Sequence, residues 1–357
     1  MIQPASSRWN PLRLVETLNF FGEVPGLGSV RWLQQWLGGE PNPMAPVIST
    51  ENPQQVLGLG RLSDRAIAAL NEAGIAMQPQ PTVPEGTAVS NVGAFLWDGT
   101  TQLDSALAPW AAWISGLKAS IDQAIFDFQA EESRDRLQAI WGAVDDVVMG
   151  GVSESQLALM ADVARFQGNV STANSGGFAS VRTRNFEPPF DFQGWQGIRL
   201  QVKGDGQRYK LILRNSMGWD SPAYCASWDT EADRWMRVDI PFAAMQATFR
   251  ARTQPTAPPL DVRRVCSFQL MLSKFEYDGE KNPTFRPGPF CLELRSLRVY
   301  RPVPTPPVIA IAATAAQAAA CGEMLRSHAL AHQVLDLSAL SEAESWAPRL
   351  LSALAIS

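Results

Sequence analysis

A chain of 357 residues, 46% of them apolar, is long enough for two packed domains and a smaller element. Its net charge of −5 argues against non-specific nucleic-acid binding by the whole chain, and a DNA partner is not expected. With two histidines and four scattered cysteines there is no zinc spacing and no Ser-His-Asp or Cys-His arrangement, so neither a metal centre nor nucleophilic catalysis is expected. No stretch reaches about 18 uninterrupted apolar residues, so none is expected to span a bilayer.

Residues 1–45 read as a helical arm of their own. Trp9, Leu12, Val15 and Leu18 recur at helical spacing and lead into Phe20-Phe21. After Pro25-Gly26-Leu27-Gly28, the residues Trp32, Leu33, Trp36 and Leu37 predict a second short helix ending at Gly38-Gly39. So many aromatics cannot form a core in so short a segment. The arm is expected to pack on the rest of the chain, and otherwise on a partner or a membrane surface. Three Arg against three Glu leave it without a polybasic attraction to lipid.

Residues 46–122 begin an α/β pattern. Gln55 to Gly60 predicts a strand and turn, Leu62 to Ala73 a helix, Ile75 to Met77 a short strand and Val89 to Trp97 a third. Asp104 to Gln129 carries Leu107, Trp110, Ile114, Leu117, Ile121 and Ile125, a stripe that predicts one long helix broken early by Pro109. The pattern resumes in residues 303–357, after Pro302-Val303-Pro304-Thr305-Pro306-Pro307. There Val308 to Ala312 and Val334 to Leu337 read as strands, Thr314 to Ser327 and Ser341 to Leu354 as helices. Alternation on both sides of residues 123–302 predicts one Rossmann-like α/β unit split by an insertion.

That unit has an eroded nucleotide fingerprint. Gly58-x-Gly60 begins a GxGxxG motif, but the third glycine is Ser63. Past Met77, where an acid would hold the ribose hydroxyls, stands Gln78-Pro79-Gln80-Pro81. No cofactor is expected. Tyr277 and Lys281 have the spacing of a dehydrogenase pair but fall in a Gly/Pro loop, where they share no helix face. The four cysteines read as buried thiols, and His328 and His332 as a pair near a helix end.

The insertion is all β in pattern. Ala164 to Val170, Phe178 to Arg182, Trp195 to Lys203, Arg208 to Arg214, Trp235 to Ile240, Ser267 to Leu272 and Phe290 to Val299 read as strands. Gly204-Asp205-Gly206 predicts a hairpin between Trp195–Lys203 and Arg208–Arg214. Arg199 and Arg214 are out of phase with the apolar residues and are expected to face away from the core. Trp219, in Asn215 to Ser221, suits either a sugar- or peptide-binding loop or a plug at the end of the sandwich. Arg250, Arg252, Arg263 and Arg264 flank the Pro-rich loop Gln254 to Pro259 and form the densest basic cluster. The insertion carries 22 basic and 21 acidic side chains, leaving the net −6 on its flanks.

The stretch from Trp141 to Arg184 organises the insertion. Asp145-Asp146 runs into Met149-Gly150-Gly151-Val152-Ser153, followed by Phe166-Gln167-Gly168 and Gly176-Gly177-Phe178-Ala179-Ser180-Val181-Arg182. Adjacent carboxylates on an extended chain point apart, so Asp145 and Asp146 are expected to cap the glycine turn rather than bind calcium. With Trp195-Gln196-Gly197-Ile198, Lys203-Gly204-Asp205-Gly206 and Leu292-Glu293-Leu294, this order of motifs resembles the complex I intermediate-associated protein 30 family. The arm, in turn, resembles leaders of cyanobacterial proteins that join this domain to a short-chain-dehydrogenase-like fold.

The resemblance implies a galactose-binding-like jelly-roll sandwich inserted in a degenerate Rossmann-like unit, hence a β-rich α+β chain. It implies an assembly factor without catalytic residues, binding protein subunits of a photosynthetic membrane complex, a photosystem before an NDH-type complex I. Candidate partner contacts are Trp9, Phe20, Phe21, Trp32, Trp36, Asp145, Asp146, Met149, Arg182, Arg214, Trp219 and the four arginines named above. A related chloroplast protein suggests a second class, an RNA-binding factor promoting translation of a photosystem message, and a carbohydrate-binding module is the third. Met1-Ile2-Gln3-Pro4 does not begin a secretory signal, so the expected location is the cytoplasm, with peripheral contact at the thylakoid.

Overall fold

A computed structural model describes residues 9–21, 23–24, 28–29, 42–46, 48, 55–85, 88–102, 106–131, 134–219, 221–338 and 345–355. The second arm helix, with Trp32 and Trp36, lies outside the described residues. The chain divides into two compact units, one of Met1–Ile48 with Gln123–Tyr300 and one of Ser49–Asp122 with Arg301–Ser357.

The first unit is a jelly-roll β-sandwich of two packed sheets. One sheet runs Trp235–Pro241, Gly197–Lys203, Gly288–Pro302, Ala164–Val170, Glu154–Leu159, with Lys118–Asp127 also pairing on Gly288–Pro302. The other runs Arg252–Thr253, Gln246–Phe249, Ala223–Asp229, Arg208–Arg214, Ser267–Ser273, Phe178–Thr183, Trp141–Ala143. Alternate residues of both sheets fill the space between them: Phe166, Ile198, Leu200, Val202, Leu292 and Leu294 from one, Tyr209, Leu211, Leu213, Phe268, Leu270 and Val181 from the other. The rings of Phe166 and Tyr209 meet edge-on at 6.2 Å across the layers.

Alternation located these strands but not their partners. Gly197–Lys203 and Arg208–Arg214 do not form a hairpin; they belong to different sheets, and Gly204-Asp205-Gly206 carries the chain across the sandwich. A hairpin and a sheet-to-sheet crossing share the same hydrophobic pattern, because both strands present an apolar face to one core. The crossing is held by Asp205, whose carboxylate accepts from Tyr209 Oη at 3.0 Å and from the amides of Gln207 and Cys291, both at 3.2 Å.

The second unit is a doubly wound α/β sheet. Its five parallel strands lie in the order His332–Asp336, Val308–Ala312, Val92–Asp98, Gln55–Leu59, Met77–Gln80. Helices Asp64–Glu72 and Ala347–Ala355 bury Leu70, Leu350 and Ala353 on one face with Val56, Leu96 and Ile311. Helices Leu107–Ser115 and Ala315–Ser327 bury Trp110, Ile114 and Leu325 on the other with Leu59, Phe95 and Ala310. Ser63 and Thr314 cap their helices, accepting from the amides of Ala66 and Gln317. The long helix expected over Asp104 to Gln129 is not formed. It stops at Gly116, and Lys118–Asp127 is a strand. Leu117, Ile121 and Ile125 are spaced by four, an interval that a period of two satisfies as well as a period of 3.6.

Candidate functional site

The signature stretch folds into a node at the edge of the sandwich. Trp141–Ala143 pairs with Phe178–Thr183, and the chain then turns through a single 3₁₀ turn, Asp146–Met149, closed by Gly150 at φ +90°. Ser153 and Ser155, two apart on the following extended segment, return to the two carboxylates. Asp146 accepts from Ser153 N at 2.8 Å, Ser153 Oγ at 2.7 Å, Gly177 N at 2.7 Å and Phe178 N at 3.3 Å. A methyl group on Gly151 or Gly176 would lie 2.3 or 2.5 Å from that carboxylate, so both positions must lack a side chain for it to fit.

Asp145 accepts from Ser155 N at 2.8 Å, Ser155 Oγ at 2.5 Å and Ser180 N at 3.0 Å. Burial pushes its carboxyl up to about 7, while Ser155, Ser180 and the Arg13 cation act in the opposite direction. The pair therefore reaches well beyond the glycine turn and joins segments more than thirty residues away. Both carboxylates are buried and committed to internal donors, which corrects their assignment as partner contacts. No cluster of metal-binding side chains occurs among the described residues.

The arm lies on this node. Its helix Pro11–Phe21 turns Arg13 toward Glu154 at 3.0 Å and Asp145 at 3.9 Å, and Trp9 Nε1 donates to Val147 O at 2.9 Å. Phe20 occupies the space above Gly142, where a methyl group would approach its ring to 2.6 Å, and its carbonyl accepts from Arg184. Phe21 meets Trp219 edge-on at 6.1 Å. Trp219 also covers the Arg182 guanidinium at 4.0 Å, and Arg214 lies 5.3 Å from the same ring. Arg182 is 1% exposed and donates to Asn185 Oδ1 and Ser267 Oγ. Phe20, Phe21, Arg182, Arg214 and Trp219 thus stack on one another, with Arg182 buried and the other four half-buried. Arg199, though out of phase with the apolar residues, is buried too: it pairs with Asp239 at 2.7 Å and lies over Tyr300.

Several large apolar side chains stay exposed here. Met149 is 77% and Leu12 67% exposed, with Val15 on the same helix face and Trp9 half-exposed beside the 3₁₀ turn. Arg250, Arg252, Arg263 and Arg264 are exposed on two neighbouring stretches of the chain, a hairpin turn and the loop after Asp261. Tyr277 and Lys281 lie in a loop, as expected, and the Tyr277 ring covers Lys210 at 4.6 Å. Cys225, Cys266 and Cys321 are buried and Cys291 is half-buried, with none of the four in a disulfide. His328 ends a helix and His332 begins a strand, each bonded through Nδ1 to a backbone carbonyl.

Sequence reasoning missed Arg13, Ser153, Ser155 and Ser180. The Ser-x-Ser spacing after an Asp pair was a usable signal, since residues two apart on an extended chain share a face.

Comparison with known proteins bears on this same stretch. The profile of the family described as Complex I intermediate-associated protein 30 matches residues 126–294. An uncharacterized protein of Schizosaccharomyces pombe is 31% identical over 149 residues, covering 37% of this chain and 68% of its own. Among solved structures, a family 11 carbohydrate-binding module of a Clostridium thermocellum cellulosomal cellulase is similar at TM-score 0.36 and 15% identity, covering 50% of this chain and 93% of that one. An agarase is similar at TM-score 0.33 and 10% identity, covering 52% and 25%. Neither structural likeness bears on what this chain binds. The profile match and the yeast relative place the chain in the complex I intermediate-associated protein 30 family.

Proposed function

We propose that this chain is a non-catalytic biogenesis factor that holds subunits of a photosynthetic membrane complex during assembly, a photosystem in preference to an NDH-type complex I. Membership of a family named for association with complex I intermediates supports the general reading. The preference for a photosystem rests on the resemblance of the arm to cyanobacterial leaders. The observation that carries the proposal is the division of labour at the node. Its polar groups bond to one another and fix a shape, while apolar Met149, Trp9, Leu12 and Val15 face outward. Exposed apolar side chains on a rigid support suit a protein partner. No described helix is long and apolar enough to cross a membrane, and the factor is proposed to act peripherally on the cytoplasmic face of the thylakoid.

The test is co-purification through a C-terminal tag from detergent-solubilised membranes, read by mass spectrometry. Photosystem subunits are expected, and fewer of them with Leu12→Glu/Met149→Glu. Recovery of NDH subunits alone would redirect the proposal, and recovery of neither would refute it. A second reading, RNA binding, is supported by the four exposed arginines and demands an affinity that falls steeply with salt.

A further inference from the structure

Ligands of a doubly wound sheet bind at its switch point, in the crevice beyond the carboxyl ends of the two strands where the order reverses, and the Gly58-x-Gly60 remnant makes a dinucleotide the ligand to test. In this chain those strands are Gln55–Leu59 and Val92–Asp98. The pyrophosphate would meet the turn Gly58 to Ser63 and the N-terminus of helix Asp64–Glu72. The residues present do not fit it. Asp98, 0% exposed at the end of its strand, places Oδ2 2.8 Å from Ser63 N and 2.6 Å from Ser63 Oγ. Its other oxygen accepts from Thr100 N at 3.0 Å and Thr100 Oγ1 at 2.6 Å.

The rest of the cradle is also occupied. Gly60 N donates to Gln80 O at 2.8 Å instead of facing an anion. Gln102 lies directly over Gly60, where a methyl group would come within 2.2 Å of its Oε1, and its amide donates to the carbonyls of Leu59 and Arg61. Thr101 Oγ1 donates to Arg61 O at 2.6 Å. On the other side, Gly99 N donates to Ile311 O at 2.9 Å and Gly99 O accepts from Gln317 Nε2 at 2.5 Å. The loop from Asp98 to Gln102 is therefore bonded to both of its neighbours, across the place where a nucleotide would lie.

We propose that the Asp98 carboxylate is a built-in substitute for the phosphate of this fold: it supplies the negative charge that the helix N-terminus favours and closes the unit to dinucleotides. The eroded glycine motif is then one half of an exchange, and Asp98 with Gln102 is the other. A carboxylate at a helix N-terminus is favoured by the backbone amides and the helix dipole whether it arrives on a ligand or on a side chain.

The test uses the full chain. Isothermal titration of the unaltered protein with NADH and NADPH to millimolar concentration should show no binding; a dissociation constant in the micromolar range would overturn the proposal without any variant. Asp98→Ala should melt at lower temperature and be rescued by inorganic pyrophosphate against a chloride control of equal ionic strength, by roughly 4 °C at ten times its dissociation constant. The unaltered protein should show no such rise. A variant that melts as before, or one that pyrophosphate fails to stabilise, would overturn the assignment. If Asp98→Ala does not fold, hydrogen exchange decides: the Ser63 and Thr100 amides should be protected to the level of the sheet, and rapid exchange at both refutes the contact.

Discussion

Removing the Asp146 carboxylate should unlock the signature stretch. In the Asp146→Ala variant the Ser153 hydroxyl keeps an acceptor, since it already lies 3.3 Å from Ser171 O. The amides of Ser153, Gly177 and Phe178 have no comparable substitute. Each buried donor left without a partner costs about 1–3 kcal/mol. Partial entry of water beside Gly151 and Gly176 offsets some of this, and a net loss of about 3–5 kcal/mol is expected. For a unit of this size a loss of 1 kcal/mol lowers Tm by about 2–4 °C, so the β unit should melt roughly 6–20 °C lower. Near-ultraviolet circular dichroism follows that transition through the buried aromatics. Asp146→Asn keeps the shape but presents its amide N–H groups to backbone N–H groups, and should fall close to the alanine variant. Met149→Ala, altering an exposed neighbour in the same turn, should change stability by less than about 0.5 kcal/mol. A melting shift below about 2 °C for Asp146→Ala would refute the reasoning.

Asp145 provides a pH test. Its folded-state carboxyl is raised to about 7 from an ordinary value near 4, so its contribution favours the folded state below about pH 4 and is lost as pH rises through about 7. The size of that loss is about 4 kcal/mol at most. Arg13→Met should deepen it by about 0.5–1 kcal/mol at pH 8 and leave pH 4 nearly unchanged, as thermal melts at the two pH values would show. Trp219→Ala removes the ring shared by Arg182 and Phe21 and should release the arm, detected as faster proteolysis next to Phe21 without loss of the sandwich. Replacing Arg250, Arg252, Arg263 and Arg264 with Ser should leave Tm within about 2 °C and reduce RNA retention in a gel shift only if the second functional reading holds.

Local chemistry made much of the fold legible. The helical runs Leu62 to Ala73 and Thr314 to Ser327, and the alternation of Ile198, Leu200 and Val202 or Tyr209, Leu211 and Leu213, each identify an element by a short-range rule. Two errors shared one cause. Apolar spacing describes which side of a segment is buried, not against what, so Gly204-Asp205-Gly206 looked like a hairpin and Leu117 to Ile125 like a helix. The node was half legible. The paired glycines and aspartates were visible as turn chemistry, but the distance over which their bonds reach, Asp145 to Ser180 and Asp146 to Gly177, is set by the pairing of strands far apart in sequence. The same limit hid Asp98. It lies 35 residues from Ser63, on a strand that only the order of the sheet makes adjacent.

The glycine cage around Asp146 changes what the family signature signifies. Gly151 and Gly176 are small because a carboxylate touches them, and Ser153 is polar because that carboxylate needs donors. The most recognisable letters of the chain thus encode an architecture and name no client. A client would have to be recognised by the side chains that stand outside the cage, Met149 and Leu12 among them.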